Sequence, residues 1–204
     1  MLTFLPFDVI IISKGKLFYK NNNARSNVFM IKAIGSHINL INSEYYSYVE
    51  DLINDEVVLQ MKNYIQHGTT TCFQHCVNVS YYNYLLCKLF RLNCRDAARA
   101  GLLHDLFLYD WHTEKHPTHG FTHPAAALAN AKRYFELTDR ESDIIEKHMF
   151  PLTPKLPRYK ETVVIILVDK YCGLIETCES RIAVMLSIPR KIKTSRQNKK
   201  GSVN

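Results

Sequence analysis

The chain places a histidine and an aspartate side by side, His104 and Asp105, near the end of an apolar run that begins at Ala97. A carboxylate in such surroundings needs compensation, because moving an unpaired charge out of water is costly. A divalent cation supplies that compensation well, since imidazole and carboxylate are both good ligands for Zn, Fe and Mn. The pair therefore predicts a metal site.

Other residues of ligand type lie at positions that could join this pair: His75, His123, His148 and Asp169. The resulting order of His, His-Asp, His, His and Asp resembles the HD-domain superfamily of metal-dependent phosphohydrolases, over roughly residues 60–175. The two histidines between the pair and the last aspartate resemble the dinuclear branch of that superfamily. That branch contains cyclic-dinucleotide phosphodiesterases, diadenosine tetraphosphate hydrolases and mixed-valent di-iron oxygenases.

The resemblance implies that a first metal ion is bound by His75, His104, Asp105 and Asp169. Two imidazoles and two carboxylates suit a cation of intermediate hardness and leave positions open for water. Asp105 is also expected to act in catalysis, because it would hold the ion that activates water. The pattern leaves open whether one or two ions bind and whether the metal is Fe, Mn, Zn, Co or Mg.

A second ion would be bound by His123 and His148, with Asp105 bridging the two metals. We expect His123 at a helix N-terminus, where the helix dipole keeps an imidazole neutral, and His148 in the last turn of a helix. His119 remains an alternative to His123 as the ligand. Further histidines of the same loop also compete for this role: His112 and His116.

A phosphorylated substrate also needs cationic partners. Lys170 directly follows the last aspartate of the pattern, and Arg158 is the preferred phosphate contact, so both are candidate catalytic residues. Arg99 is a weaker candidate. Aromatic residues near the pair could stack on a nucleobase or simply pack the loop: Phe107, Tyr109, Trp111 and Phe121.

Two departures from the family pattern bear on the substrate. Leu108 stands where many members carry a lysine, and no Gly-Tyr-Pro motif is present. Both departures disfavour a cyclic dinucleotide. The expected function is a metal-dependent phosphohydrolase acting on a phosphate ester or anhydride of a nucleotide or small phosphorylated metabolite. The alternatives are an HD-type di-iron oxygenase and a catalytically degenerate module that binds nucleotide in regulation.

These residues must be positioned by helices. Apolar residues recur at helical spacing over about 43–65, 72–91, 95–106, 123–137, 139–149 and 160–178, with a loop over 107–122. No strand pattern appears beyond the N-terminus. We therefore predict an all-α fold, an HD-domain helical bundle of about six helices with disordered or loosely packed termini. The predicted parts are a poorly ordered extension (1–40), the metal-dependent hydrolase domain (41–180) and a basic tail (181–204).

Composition narrows the remaining classes. The 204 residues are 47% hydrophobic but contain no apolar run long enough to cross a membrane, and the N-terminus lacks the features of a signal peptide, so a cytoplasmic location is expected. Six cysteines without a CxxC motif indicate reduced thiols. The net charge of +7 equals the seven basic residues of the tail, so nucleic acid is expected to make at most weak contact there. The oligomeric state stays open.

Overall fold

The computed structural model describes residues 31–36, 39–112 and 118–187, and all structural statements below concern these ranges. They form a helical bundle with one short antiparallel hairpin, as the all-α prediction expected. The helices are α1 (Glu44–Ile53), α2 (Glu56–Leu59), α3 (Cys72–Leu89), α4 (Cys94–Leu103), α5 (His119–Tyr134), α6 (Asp139–Lys147) and α7 (Lys160–Ser187). The hairpin strands are β1 (Ile65–His67) and β2 (Thr70–Thr71).

Side-chain caps fix where several of these helices begin. The side chains of Ser43, Thr71 and Asn93 each accept a hydrogen bond from a backbone N–H in the first turn of α1, α3 and α4. The side chain of Thr138 does the same for α6. The side chain of Glu141 accepts a hydrogen bond from the backbone N–H of Thr138, which completes a capping box. Each such cap stabilises its helix by about 1 kcal/mol.

The sequence predicted one continuous helix over 43–65, and this prediction is wrong. Asp55 starts a new helix, because its side chain accepts from the N–H of Val57, and the chain then passes through a 3₁₀ turn into β1. The prediction of no strand beyond the N-terminus is also wrong. Gly68, at the turn between the strands, has φ of +59°, a left-handed conformation that glycine adopts without strain.

Other helix limits also differ from the prediction, and two of these differences affect residues that matter below. Helix α5 begins at His119, so His123 lies in its second turn and Pro124 lies inside the helix, not at its start. Helix α7 continues to Ser187, into the segment that the sequence assigns to the tail. The hairpin supports this extension, because the side chain of Ser180 accepts a hydrogen bond of 3.0 Å from the N–H of Thr69.

The N-terminal part of the described chain packs on α3. The backbone N–H of Ile34 donates to Asn78 Oδ1 (2.9 Å), and Gln74 Nε2 donates to the carbonyl of Lys32 (2.8 Å). Ala33 is buried. Residues 31–36 therefore belong to the folded unit, although the predicted boundary is at residue 41. The rest of the predicted extension, and the predicted tail beyond residue 187, lie outside the described residues.

The six cysteines are all free thiols, and four of them are buried in the bundle. Among the helices of the described ranges, none has the combination of length and apolar composition that a membrane crossing requires. The core is formed by the facing sides of α1, α3, α4, α6 and α7, with side chains such as Tyr45, Leu102 and Ile165 fully buried.

Helices α3 and α4 approach each other closely at Gly101. A Cβ atom on Gly101 would lie 2.7 Å from the Cα of Ser80, which is backbone and cannot move aside. This contact sets the position of α4, whose C-terminal end carries the His104–Asp105 pair.

We predict that Gly101→Ala destabilises the protein by about 1–3 kcal/mol, because α3 and α4 must separate to admit the methyl group. Chemical denaturation monitored by circular dichroism measures the change. Gly120→Ala is the matched control, since its Cβ would meet only the flexible tip of Leu152 at 3.3 Å. Equal unfolding free energies for the two variants would contradict the assigned role of the contact.

Candidate metal centre

The His104–Asp105 pair directly follows the last residue of α4. His104 is the C-terminal cap of that helix, and its Nδ1 lies 2.8 Å from the carbonyl oxygen of Gly101. The structure brings all six predicted ligand residues to one place between α3, α4, α5, α6 and α7, and none is more than 8% exposed: His75, His104, Asp105, His123, His148 and Asp169.

One group of ligand atoms gathers around Asp169 Oδ1. It lies 3.1 Å from His75 Nε2 and 3.8 Å from His104 Nε2. Asp105 Oδ2 completes the group, at 3.5 Å from His104 Nε2 and 3.9 Å from His75 Nε2. These four side chains are the predicted first set. The ligand atoms of His75, His104 and Asp169 are spaced so that they could hold one cation, and Asp105 groups in the same way with His104 and His148.

A second group gathers around the other oxygen of the same aspartate. Asp105 Oδ1 lies 3.3 Å from His123 Nε2 and 3.6 Å from His148 Nε2. The two imidazole nitrogens are 2.9 Å apart. Asp105 therefore faces one group with each carboxylate oxygen, which is the arrangement that a bridging ligand between two cations requires.

The Nδ1 atom of every histidine in the centre is held by a hydrogen-bond partner at 2.8 or 2.9 Å. For His104, His123 and His148 that partner is a backbone carbonyl, which can only accept, so Nδ1 carries a proton, and in the neutral imidazole that binds metal Nε2 presents the lone pair. Fixing Nδ1 in this way is how proteins orient a histidine that binds metal.

Two observations test whether a cation fits. His104 Nε2 and Asp105 Oδ1 are buried without any hydrogen-bond partner among the described residues. The Nε2 atoms of His123 and His148 also face each other at 2.9 Å, and in the neutral rings with protonated Nδ1 both would present lone pairs. Orphaned acceptors and opposed lone pairs are unfavourable in a buried site, and a bound cation removes both problems.

Charge in the centre is strongly coupled. Burial alone would raise the pKa of Asp105, but His104, His123 and His148 outweigh it and hold the pKa below its usual range. Burial lowers the pKa of His148 to about 3, with a further contribution from His104, so this imidazole is neutral, as a ligand must be.

The opposite shift occurs at His75. Burial opposes protonation there, but the hydrogen bonds with Asp169 and Glu176 outweigh it and raise the pKa well above its usual value. Positive charge is therefore favoured beside Asp169. A metal ion would supply that charge and displace the proton.

Sequence reasoning missed Glu176. This fully buried carboxylate accepts from His75 Nδ1 through Oε2 (2.9 Å) and from Asn78 Nδ2 through Oε1 (2.7 Å). Glu176 lies seven residues after Asp169 on α7, so both acids point to the same side of the helix. That spacing is the signal in the sequence that could have identified it.

Gln66 was also missed. Its Nε2 donates to Asp105 Oδ2 (2.6 Å), and its Oε1 accepts from Trp111 Nε1 (3.3 Å). Gln66 lies on β1, and a hairpin with strands of three and two residues has no alternation long enough to recognise in a sequence.

A cavity of about 440 Å³ opens onto the centre. Its wall includes Lys170, whose Nζ donates to Asp169 Oδ2 at 2.7 Å while the side chain stays 56% exposed. Arg158 is exposed, its guanidinium lies over the ring of Tyr159, and it is not among the described residues that line the cavity. Arg99 is bound to Asp51 and Glu141.

The alternative histidines occupy different places. His119 stacks on His123, with ring centroids 4.6 Å apart, and its Nδ1 lies 3.0 Å from the Tyr109 hydroxyl. It lines the cavity together with Trp111, whose ring is parallel to it. His112 is exposed beside Trp111, and His116 lies outside the described residues. Of these histidines, His123 is the one with Nε2 placed against Asp105 and His148.

Comparison with family models, curated proteins and solved structures finds no match to the chain. What the structure establishes is a helical protein with a buried cluster of histidines and aspartates that could hold a divalent metal.

We predict that Asp105→Ala abolishes metal binding at both positions, because each oxygen of that carboxylate serves one group. His123→Ala should reduce the metal content by half, since only the second group loses a ligand. Elemental analysis of gently purified protein measures both effects, with the exposed His112→Ala as control. Full metal content in His123→Ala would show that the second group binds no ion.

We predict that Glu176→Gln weakens metal binding by roughly 10–100-fold, the usual effect of losing a partner that orients a histidine ligand. A glutamine cannot accept from both His75 and Asn78. Titration of metal-free protein by calorimetry measures the affinity, and melting temperature checks the fold. Glu179→Gln, an exposed change on the same helix, is the control and should leave the affinity unchanged.

Proposed function

We propose that the protein is a metal-dependent phosphohydrolase of the HD-domain type, acting on a phosphate ester or anhydride of a nucleotide or small phosphorylated metabolite. The observation that carries the proposal is Asp105, whose two oxygens face two separate groups of ligand nitrogens at the floor of a cavity. Metal ions bound there would activate water and polarise a phosphoryl oxygen.

The chain's own residues would divide the remaining work. Asp105 holds the two groups of ligands together, and Glu176 keeps the His75 ring in position. Lys170 brings a positive charge to the cavity wall next to Asp169, where it would neutralise a phosphate group of the substrate. Lys170 supports this role better than Arg158, because it lines the cavity.

The cavity also favours a substrate of limited size. A volume of about 440 Å³ is at the lower end of the range for small-molecule sites. Trp111 and His119 line the cavity with parallel rings, 4.9 Å between centroids. His123 stacks on the other side of His119 and His112 lies against Trp111, so this stack packs the cavity wall and gives no evidence for a planar substrate group.

The test is release of inorganic phosphate, or of nucleotide products, from a broad panel of phosphoesters and nucleotides. Purified protein is assayed with Mn, Fe or Co, and Asp105→Ala is the inactive control. Activity in the parent chain and none in the variant supports the proposal. If no compound is hydrolysed while the metal content is complete, the proposal is wrong.

The same experiment separates the alternatives. An HD-type di-iron oxygenase would consume oxygen with ferrous iron and release no phosphate by hydrolysis. A degenerate regulatory module would bind nucleotide without turnover, and Asp105→Ala would leave its cellular role intact.

We predict that Lys170→Gln lowers kcat/KM by about 10–100-fold, because a charged hydrogen bond to phosphate is worth roughly 1.5–3 kcal/mol. Metal content should remain unchanged, since Lys170 is not a ligand. Lys160→Gln is the control from the exposed start of α7. Arg158→Gln should behave like the control, and a larger effect there than at Lys170 would reassign the phosphate contact.

A further inference from the structure

The outward side of α7 is apolar. Most of its exposed hydrophobic residues lie three or four positions apart, and the exposed Cys178 lies between Leu174 and Ile182 on the same side, so these residues form one stripe along the helix, here called the outer stripe. The stripe consists of Val163, Leu167, Tyr171, Leu174, Ile182 and Met185, each at least 50% exposed. A continuous apolar stripe of this kind marks a surface that is normally covered.

The opposite side of α7 already faces the core. Ile165, Cys172 and Glu176 are buried there, so the helix is covered on one side and apolar on the other. At 100° per residue, the charged side chains that fall within or beside the outer stripe are Lys160, Lys170 and Arg181, all basic. The occupant should therefore be apolar and carry little or no positive charge opposite this stripe.

The chain contains a segment with these properties. Residues 2–12 include eight apolar side chains, and Asp8 is the single charged residue among them. An acidic residue is complementary to the basic border of the outer stripe. If extended, eleven residues reach about 36 Å, close to the roughly 33 Å between residues 163 and 185 of a helix.

The described chain enters the fold beside the outer stripe. Residues 31–36 lie on α3, where the Tyr82 hydroxyl donates to the carbonyl of Ile34 (2.5 Å). The ring of Tyr82 also contacts the ring of Tyr171, a member of the stripe, with centroids 6.2 Å apart. The eighteen residues from 13 to 30 can span up to roughly 60 Å, so residues 2–12 can reach every part of the stripe.

We propose that residues 2–12 of the same chain cover the outer stripe of α7. Burying its leucine, isoleucine and phenylalanine side chains against the stripe would remove two apolar surfaces from water at once. The inference is independent of the metal centre. Leu174 belongs both to the stripe and to the cavity wall, so the bound segment would also border the cavity.

Cys178 provides a direct test, because it is the exposed thiol of the chain and lies on α7 between Leu174 and Ile182. The rate at which a maleimide modifies Cys178 is measured in the full chain and in a chain lacking residues 1–12. Cys178→Ser gives the background rate of the other cysteines, four of which are buried. The proposal predicts that Cys178 is protected in the full chain and reacts at least about tenfold faster after the deletion.

A full-length variant guards against misfolding of the shortened chain. Phe4→Ser combined with Ile10→Ser should raise the rate as the deletion does, whereas Asn22→Ser, in the connecting residues, should not. Equal rates in the full and shortened chains would overturn the proposal. Protection that survives the deletion and disappears on dilution would overturn it as well, because a second copy of the chain would then be the occupant.

Discussion

The structure depends on keeping the carboxylate of Asp105 charged and buried. An isolated carboxylate at 3% exposure would be too costly to maintain, so it needs compensating groups. The amide of Gln66 on β1 donates to it, and helices α3, α5 and α6 and the end of α4 each bring an imidazole that could hold a cation against it. The bundle is arranged around this charge.

Two of the imidazoles reach it through the same local solution. A helix leaves its last carbonyls without partners, and a histidine at the cap can donate to one of them. His104 donates to Gly101 at the end of α4, and His148 donates to Ile145 at the end of α6, in both cases three residues back. In each case one hydrogen bond gives a carbonyl at the helix end its partner and orients the imidazole so that Nε2 faces Asp105.

The identities of the six clustered residues could be predicted mostly because their order along the chain resembles that of a known superfamily; the His104–Asp105 pair alone would have supported far less. The sequence did not allow their local setting to be predicted as well. His123 was expected at a helix start, where the dipole would keep it neutral, but α5 begins four residues earlier, at His119. The orientation of His123 comes from donation of its Nδ1–H to the His119 carbonyl, which leaves Nε2 facing Asp105 and does not involve the end of the helix.

The supporting residues were harder to predict for a different reason. Gln66 acts from a hairpin whose strands are too short to show a period, and Glu176 acts from within a helix whose buried side was assigned to the core. Arg158 was favoured by its charge and by its position in the sequence between the ligand residues. Proximity along the chain did not carry it into the cavity wall, because its backbone N–H donates to Asp143 and its guanidinium lies over the ring of Tyr159.

Helix α7 shows why a periodic pattern can mislead. Its inward side carries Asp169 and Glu176 among buried apolar residues such as Ile165 and Cys172, while its outward side carries leucine, tyrosine and methionine, so the helix lacks the polar outer side of an ordinary surface helix. The polar groups are inside because the centre needs their charge. The apolar groups are outside, where a helix facing water alone would carry polar residues. The buried acids of α7 favour a bound cation, and its exposed outer stripe favours a covering segment. These two requirements are independent of each other.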